Sequence, residues 1–532
     1  MEKVLNRVLG AKKEGDGMAK TEYSAGASAL FLTGIGMVSQ LLSFGYRVLL
    51  SRMVGAEGMG LYQLVMSAYS VLMSLSTVGL TACASNLSAR YLALGNGRGM
   101  EQTRRLCLVL LGCAAALLLA VTAGLSDSIS VYLLGDARTQ LGLVLLMPCV
   151  FLTGVENIHK HMFYGAGLVR PPAFTELAEQ GIRAAAVLGL LFVFLPQNPE
   201  RTIGLIVMGM VICEVFSSVS LVVLYRTQFS GVRKQGRGEG AGALLMHIRD
   251  IALPVGITSL LGNLMGAANS TLIPRKLVEG GVTRAHAMEE LGIMCGMTLP
   301  MLSLPTVFLG ALNLVMVPRL ARSAALCQKE RLQRQIRRAL TAASVLILPA
   351  MAMMVVLGKD LAVLMFGRHE AGNYLFPLAV SVVFSCCQSV FGGVLNGTNE
   401  QGKSAVISLL CDVVQLAFVF TIPLPGVGMK GFVAGTLLSS VLGAILCARC
   451  AVQVSGVKIP AFECMTAPAL GAVLTGVTGN LLFRYLKDNG CEVPVSGAIT
   501  LIYGVVIYIA ALQAQGISLR DVFWFRERPE KK

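Results

Sequence analysis

What most constrains this chain is the recurrence, from one end to the other, of apolar runs about twenty residues long. Coiled as an α-helix, a run of that length matches the roughly 30 Å hydrocarbon core of a bilayer. Fourteen such segments fall near 27–51, 60–87, 106–125, 140–162, 173–195, 203–225, 250–274, 289–317, 339–357, 373–397, 404–422, 431–448, 465–483 and 494–515. Barrel strands would be shorter and would alternate in polarity, so the runs predict helices. Composition agrees: 55% of the residues are hydrophobic and only 14% charged, against roughly 25% charged in soluble domains. The expected fold class is an all-α membrane protein with about 14 transmembrane helices.

A formal charge of +15 would suit a nucleic-acid partner if the basic residues formed a patch with interleaved aromatics. They sit instead in short stretches between apolar runs, so no nucleic-acid partner is expected. Placing the N-terminus in the cytoplasm puts 31 of the 44 Lys and Arg in the connections of that side and 11 in the opposite ones, with Arg47 and Arg183 left inside helices. That bias is the positive-inside rule. It predicts a cell-membrane protein with both termini cytoplasmic. The leader ahead of the first run is too polar, and the run itself too long, for a cleavable signal peptide.

A weak internal repeat is also legible. Phe163-Tyr164-Gly165, a polar turn and a new run from Ala173 recur as Leu395-Asn396-Gly397, a turn and a run from Ala405, with the same interval between each residue and its counterpart. Six runs separate the copies. An even number makes both halves enter from the same side, as parallel repeats do. The predicted organisation is a leader (1–25), an N-lobe of helices 1–6 (26–230), a basic linker (231–249), a C-lobe of helices 7–12 (250–455), two further helices (456–516) and a basic tail (517–532).

Several tempting motifs are expected to carry no chemistry. Gly397-Thr-Asn-Glu-Gln-Gly402-Lys403-Ser404 satisfies the phosphate-loop pattern, but that chemistry needs a preceding strand and a magnesium-holding carboxylate on a second one. Here the motif lies between two apolar runs. Cys447 and Cys450 lack the further ligands that a zinc site needs, and the remaining cysteines lie scattered, mostly inside apolar runs. His159, Lys160 and His161 at a helix end are expected to be solvated. No metal site, cofactor or catalytic residue is expected. Pro254, Pro300 with Pro305, Pro318, Pro377 and Gly392-Gly393 punctuate the runs, as breaks in transporter helices do.

Ionisable residues inside the runs say more, because each costs a few kcal/mol near the bilayer centre. Counting from Ala173 at about 1.5 Å per residue places Arg183 about 15 Å deep. Glu179 stands one turn earlier on the same face and can pair with it. Glu214 reaches a similar depth from the other side, and Asp412 and Glu156 are shallower. Arg47 lies in the last turns of the first run, with Arg52 at its end. Such groups can simply join helices, and Arg52 can snorkel to the interface. Buried arginines also suit a phosphate, since a guanidinium stays charged and donates bidentate hydrogen bonds. Arg47, Arg183, Arg52 and Glu179 are the candidate substrate-binding residues, and Glu214 and Asp412 the candidate coupling or cavity residues.

Phe44-Gly-Tyr-Arg47 through Ser51-Arg52, Gly55-Ala-Glu-Gly58-Met-Gly60-Leu-Tyr-Gln63, Leu75-Ser-Thr-Val-Gly79, Glu179-Gln180-Gly-Ile-Arg183, Ile273-Pro274-Arg275-Lys276-Leu277 and Leu299-Pro300-Met-Leu-Ser-Leu-Pro305-Thr resemble the stage V sporulation protein B family. That family lies within the multidrug/oligosaccharidyl-lipid/polysaccharide exporter superfamily and is related to the lipid II flippases. The resemblance implies two six-helix lobes around a cationic cavity, moving an undecaprenyl-pyrophosphate-linked saccharide for spore-cortex peptidoglycan in an endospore-forming Gram-positive bacterium. It implies Na+ or H+ as coupling ion and cell-wall synthesis proteins as partners beside the bilayer and the lipid-linked substrate. Three positions depart from the family pattern: Gln40 stands where a basic residue is frequent, Asn269 where an acidic one is, and Thr81 where a proline is expected after the glycine of the second run. Two alternatives remain: a multidrug/cation antiporter of the same fold, which wants an acidic cavity, and a membrane-embedded glycosyl- or phosphotransferase, which wants an acidic loop cluster absent from the sequence.

Overall fold

The computed structural model describes residues 17–196, 201–231, 236, 238–326, 328–456 and 461–517. Most of the predicted leader, part of the basic linker and nearly all of the tail lie outside the described residues.

The first helix, α1 (Gly17–Thr77), has 61 residues, about 90 Å if straight and three times what one crossing needs. Gly55 divides it. There φ is 72° and ψ 179°, a conformation essentially closed to residues with a Cβ, so two membrane helices meet end to end. The chain breaks again at Val78–Gly79, where both φ values are positive, before α2 (Leu80–Ala93). The N-terminal half continues through α3 (Gly97–Ser128, prolonged by a π-helical turn Ile129–Leu134), α4 (Gln140–Gly165), α5 (Arg170–Phe194) and α6 (Thr202–Gln228). The second half holds α7 (Ala241–Glu279), α8 (Arg284–Leu291), a π-helical stretch Gly292–Thr298, α9 (Leu299–Ser303), α10 (Val307–Ala325), α11 (Lys329–Phe366), α12 (Leu375–Gly397), α13 (Gln401–Val419) and α14 (Met429–Ser455). The final pair is α15 (Ala461–Asp488) and α16 (Val493–Ala514).

Among the described residues every element is helical, and thirteen stretches are long and apolar enough to cross a bilayer. The first of them is the α1 pair divided at Gly55, which brings the crossings to the fourteen read from the sequence. Only Pro300 and Pro305, of the predicted breaks, fall at a change of helix type: π-helix, a short α-helix and a 3-10 turn Leu304–Thr306 succeed one another. α7 runs unbroken through Pro254, α10 through Pro318 and α12 through Gly392–Gly393, while Pro377 sits in the first turn of α12.

Faces are sorted as lipid demands. On α16, Ser496, Thr500 and Gly504 are buried, a small-residue stripe at four-residue spacing that lets α15 and α11 approach. Its other side exposes Ile502, Val505 and Val506 to the acyl chains. Connections assigned to one side of the membrane do meet at one end of the molecule: Arg138 pairs with Glu57, Arg284 with Asp136 and Arg368 with Glu289. At the other end Tyr91 donates to Glu239 and Gln102 accepts from the Glu239 N–H.

The expectation of a solvated cluster at the end of α4 fails. His159 is fully buried, its ring edge-on to Tyr225 and Nδ1 2.8 Å from the Val155 carbonyl. Lys160 is also largely buried, held by Glu156 at 3.1 Å. α3 and α6 cover this end of α4, so a polar cluster that reads as solvated is an internal one. The phosphate-loop pattern, as expected, is a helix–turn–helix: α12 ends at Gly397, α13 starts at Gln401, and Lys403 pairs with Glu400 at 3.1 Å.

Candidate functional site

Arg183 lies midway along α5, and helix packing brings it against α6. Its guanidinium binds Glu179, one turn away on its own helix, and Glu214 Oε1 on α6 at 3.1 Å. Its Nε–H points at Cys213 Sγ, 3.4 Å away. Ser217, one turn beyond Cys213, donates to the second Glu179 oxygen at 3.2 Å. Both carboxylates are nearly sealed, at 5% and 2% residue exposure. The Arg183 side chain keeps 23% of its surface open. The pairing read from the Glu179–Arg183 spacing is therefore present, and Glu214 joins it from the facing helix.

The charged set extends along α4. Glu156 is 2% exposed and binds Lys160, which also reaches Glu176 at 3.4 Å. Three deeply buried carboxyls thus share two cations, Lys160 and Arg183. Glu214 Oε2 is buried without a hydrogen-bond partner. Glu179, Cys213 and Glu214 hold ligand atoms within 4.8 Å of one another, but the guanidinium already fills the cation's role there.

Arg47 is close to this group without belonging to it. It is half-buried on α1 and has no ion pair or hydrogen bond among the described residues. The neighbouring Tyr46 feels the charges of both Arg183 and Arg47, and its hydroxyl is buried and unpartnered. Two predicted residues stand elsewhere. Arg52 is exposed and donates to the Leu364 and Met365 carbonyls of α11, so it does not join Arg47 and Arg183. Asp412 is half-buried on α13, in the other half. Sequence reading passed over Cys213, Ser217 and Tyr46. Adjacency to Glu214 and Arg47 was the signal for two of them, and Ser217 needed the helix pairing.

Two helical halves in parallel repeat, with a charged cluster buried in mid-helix, define the class: a multi-pass helical membrane protein. More closely, the chain belongs to the polysaccharide biosynthesis protein family, whose model matches residues 25–324, and the MatE model matches 294–421. Stage V sporulation protein B of Bacillus subtilis (strain 168) is 23% identical over 490 residues, covering 89% of this chain and 92% of that protein. The fold is similar to that of the lipid II flippase MurJ in an inward closed conformation (TM-score 0.66, 10% identity, 91% of this chain and 98% of that one). It is equally similar to an inward-facing multidrug resistance MATE transporter (TM-score 0.66, 14% identity, 81% and 99%).

Proposed function

We propose that this protein is a flippase that carries a lipid-linked oligosaccharide, headed by a phosphate-type anion, from the cytoplasmic to the outer leaflet. The observation that carries the reading is Arg47: a half-buried guanidinium with no acidic partner among the described residues, inside a membrane, beside an unpartnered tyrosine hydroxyl. A charge held so is costly unless a ligand or water completes it, and a pyrophosphate offers the bidentate geometry it lacks. Arg183 adds positive charge to the same neighbourhood, but its two carboxylates already occupy its fork. Arg47 is therefore the first contact and Arg183 the second.

The excess of buried carboxyls over cations favours a role beside the anion site. Glu156, Glu179 and Glu214 can take up a coupling H+ as the halves rock. The same excess is what a cation antiporter would use, and it makes that reading the runner-up. The names of the relatives support the flippase reading, as does the charge-based orientation with cytoplasmic termini.

A leaflet-accessibility assay separates the two readings. In cells that depend on this protein, labelled lipid II should reach the outer leaflet with the wild-type chain and remain inside with Arg47→Ala at equal abundance. Cells in which Arg47→Ala flips lipid II normally, yet which lose resistance to cationic drugs when Glu214 becomes Gln, would reverse the choice.

A further inference from the structure

The repeat that carries Phe163 onto Leu395 reappears in three dimensions at the end of the molecule where Gly55 lies. α3 and α11 are repeat partners, and each ends on a left-handed glycine, Gly135 and Gly367, a pair set apart by the repeat interval. The carbonyls just ahead of each glycine are the unsatisfied acceptors of a helix C-terminus. On α11 these are Leu364 and Met365. Arg52 of the first half donates to both, with its Nε 2.6 Å from the Met365 oxygen. On the α3 extension the repeat-equivalent carbonyls are Tyr132 and Leu133. Arg275 of α7 donates to both, at 2.8 Å for Leu133. Each half therefore caps the other half's helix with one arginine.

Between these two caps the backbones touch along a seam with the same symmetry. A Cβ on Gly60 would sit 2.1 Å from the Met288 carbonyl oxygen, and one on Gly292 would sit 1.9 Å from that of Ala56. Gly60 and Gly292 are repeat equivalents, and so are Ala56 and Met288. Flanking ion pairs repeat as well: Glu57 binds Arg138 at 2.8 Å, and its equivalent Glu289 binds Arg368 at 2.9 Å. The match has two offsets: Arg138 and Arg368 lie two residues out of equivalence with each other, and the two capping arginines are not equivalent either. The repeat equivalent of Arg52 is Arg284, not Arg275, and Arg284 meets Asp136, the residue after Gly135, at 3.7 Å. Asp136 lies outside the spanning helices. Burial raises its carboxyl, but the Arg138 hydrogen bonds and the charges of Arg138 and Arg284 outweigh that and hold it below the usual range.

We propose that Arg52 and Arg275 form a symmetric double latch that closes this end of the transporter, each fastening one half to the C-terminal carbonyls of a helix in the other. The device rests on the transport reading only in making its opening a step of the cycle. Helix C-termini are suited to this task because their carbonyls are always present and carry the negative end of the helix dipole. An arginine can therefore hold one and let it go without leaving a buried counter-charge behind. The seam of glycines brings the backbones close enough for both arginines to reach.

The test uses the full chain with its cysteines replaced, reconstituted in lipid nanodiscs without substrate. Spin labels at Ser128 and His369, both exposed near the ends of α3 and α11, report the separation of the halves. The parent should give one short distance population. Arg52→Ala and Arg275→Ala should each add a longer one, and the double variant should raise it on the order of tenfold over the parent, since two charge-assisted hydrogen bonds are lost at each cap. Arg52→Gln and Arg275→Gln should shift the same way if the alanine variants accumulate poorly. An unchanged distribution in the double variant, or a shift with only one of the two arginines, overturns the latch. Because no substrate is present, a failure of the flippase assay leaves this result standing, and the reverse also holds.

Discussion

Arg183 can be removed in two ways that the structure makes unequal. Arg183→Ala deletes the cation that Glu179 and Glu214 share and leaves two nearly sealed carboxyls facing each other across α5 and α6. At about 4 Å and an effective dielectric near 20, each ion pair is worth about 4 kcal/mol before desolvation. Breaking one buried pair typically costs about 3–5 kcal/mol, because the remaining charge is stranded. The expected loss for Arg183→Ala is therefore about 3–5 kcal/mol. The triple variant Arg183→Ala, Glu179→Gln, Glu214→Gln removes the charges together. It retains amide groups for Ser217 to bond, so it should recover most of that loss. Thermal unfolding of detergent-solubilised protein gives the ordering directly: parent, then triple, then single. Leaflet-accessibility measurements on the triple variant then ask a separate question. A stable triple variant that cannot flip lipid II assigns the set of Arg183, Glu179 and Glu214 to substrate binding or coupling, whereas one that flips normally makes the cluster helix glue. If the single and triple variants unfold at the same temperature, the three side chains do not form a mutually compensating buried set.

Three further outcomes are expected. Arg47→Lys should restore only part of the flipping lost in Arg47→Ala, because an ammonium supplies charge without a planar fork; equal activity of the two would remove bidentate recognition. In a cysteine-free background, Gln328→Cys should react with an impermeant reagent only after the cell is opened and Gly280→Cys from outside, and the opposite pattern would invert the topology. Lys403→Ala should transport as the parent does, and the purified chain should show no saturable ATP binding that this substitution removes.

The number of crossings, their helical nature, the alternation of connections and the parallel repeat were all legible in the sequence. They follow from quantities local to the chain: the length of an apolar run, the charge between runs, and a spacing that recurs. The Glu179–Arg183 pair was legible for the same reason, since one helical turn links the two. What the sequence left open was which helix faces which. Glu214 meets Arg183 only because α6 packs on α5, and His159 and Lys160 are buried only because α3 and α6 cover α4. Arg52 is the sharpest case. By position it is one more arginine near the end of the first run, a little more than one helical turn from Arg47. Its partners lie 312 and 313 residues away and are backbone carbonyls, whose availability depends on where a helix ends and not on which residues compose it. Tertiary structure alone could separate an arginine without a hydrogen-bond or ionic partner among the described residues from one bonded to the other half.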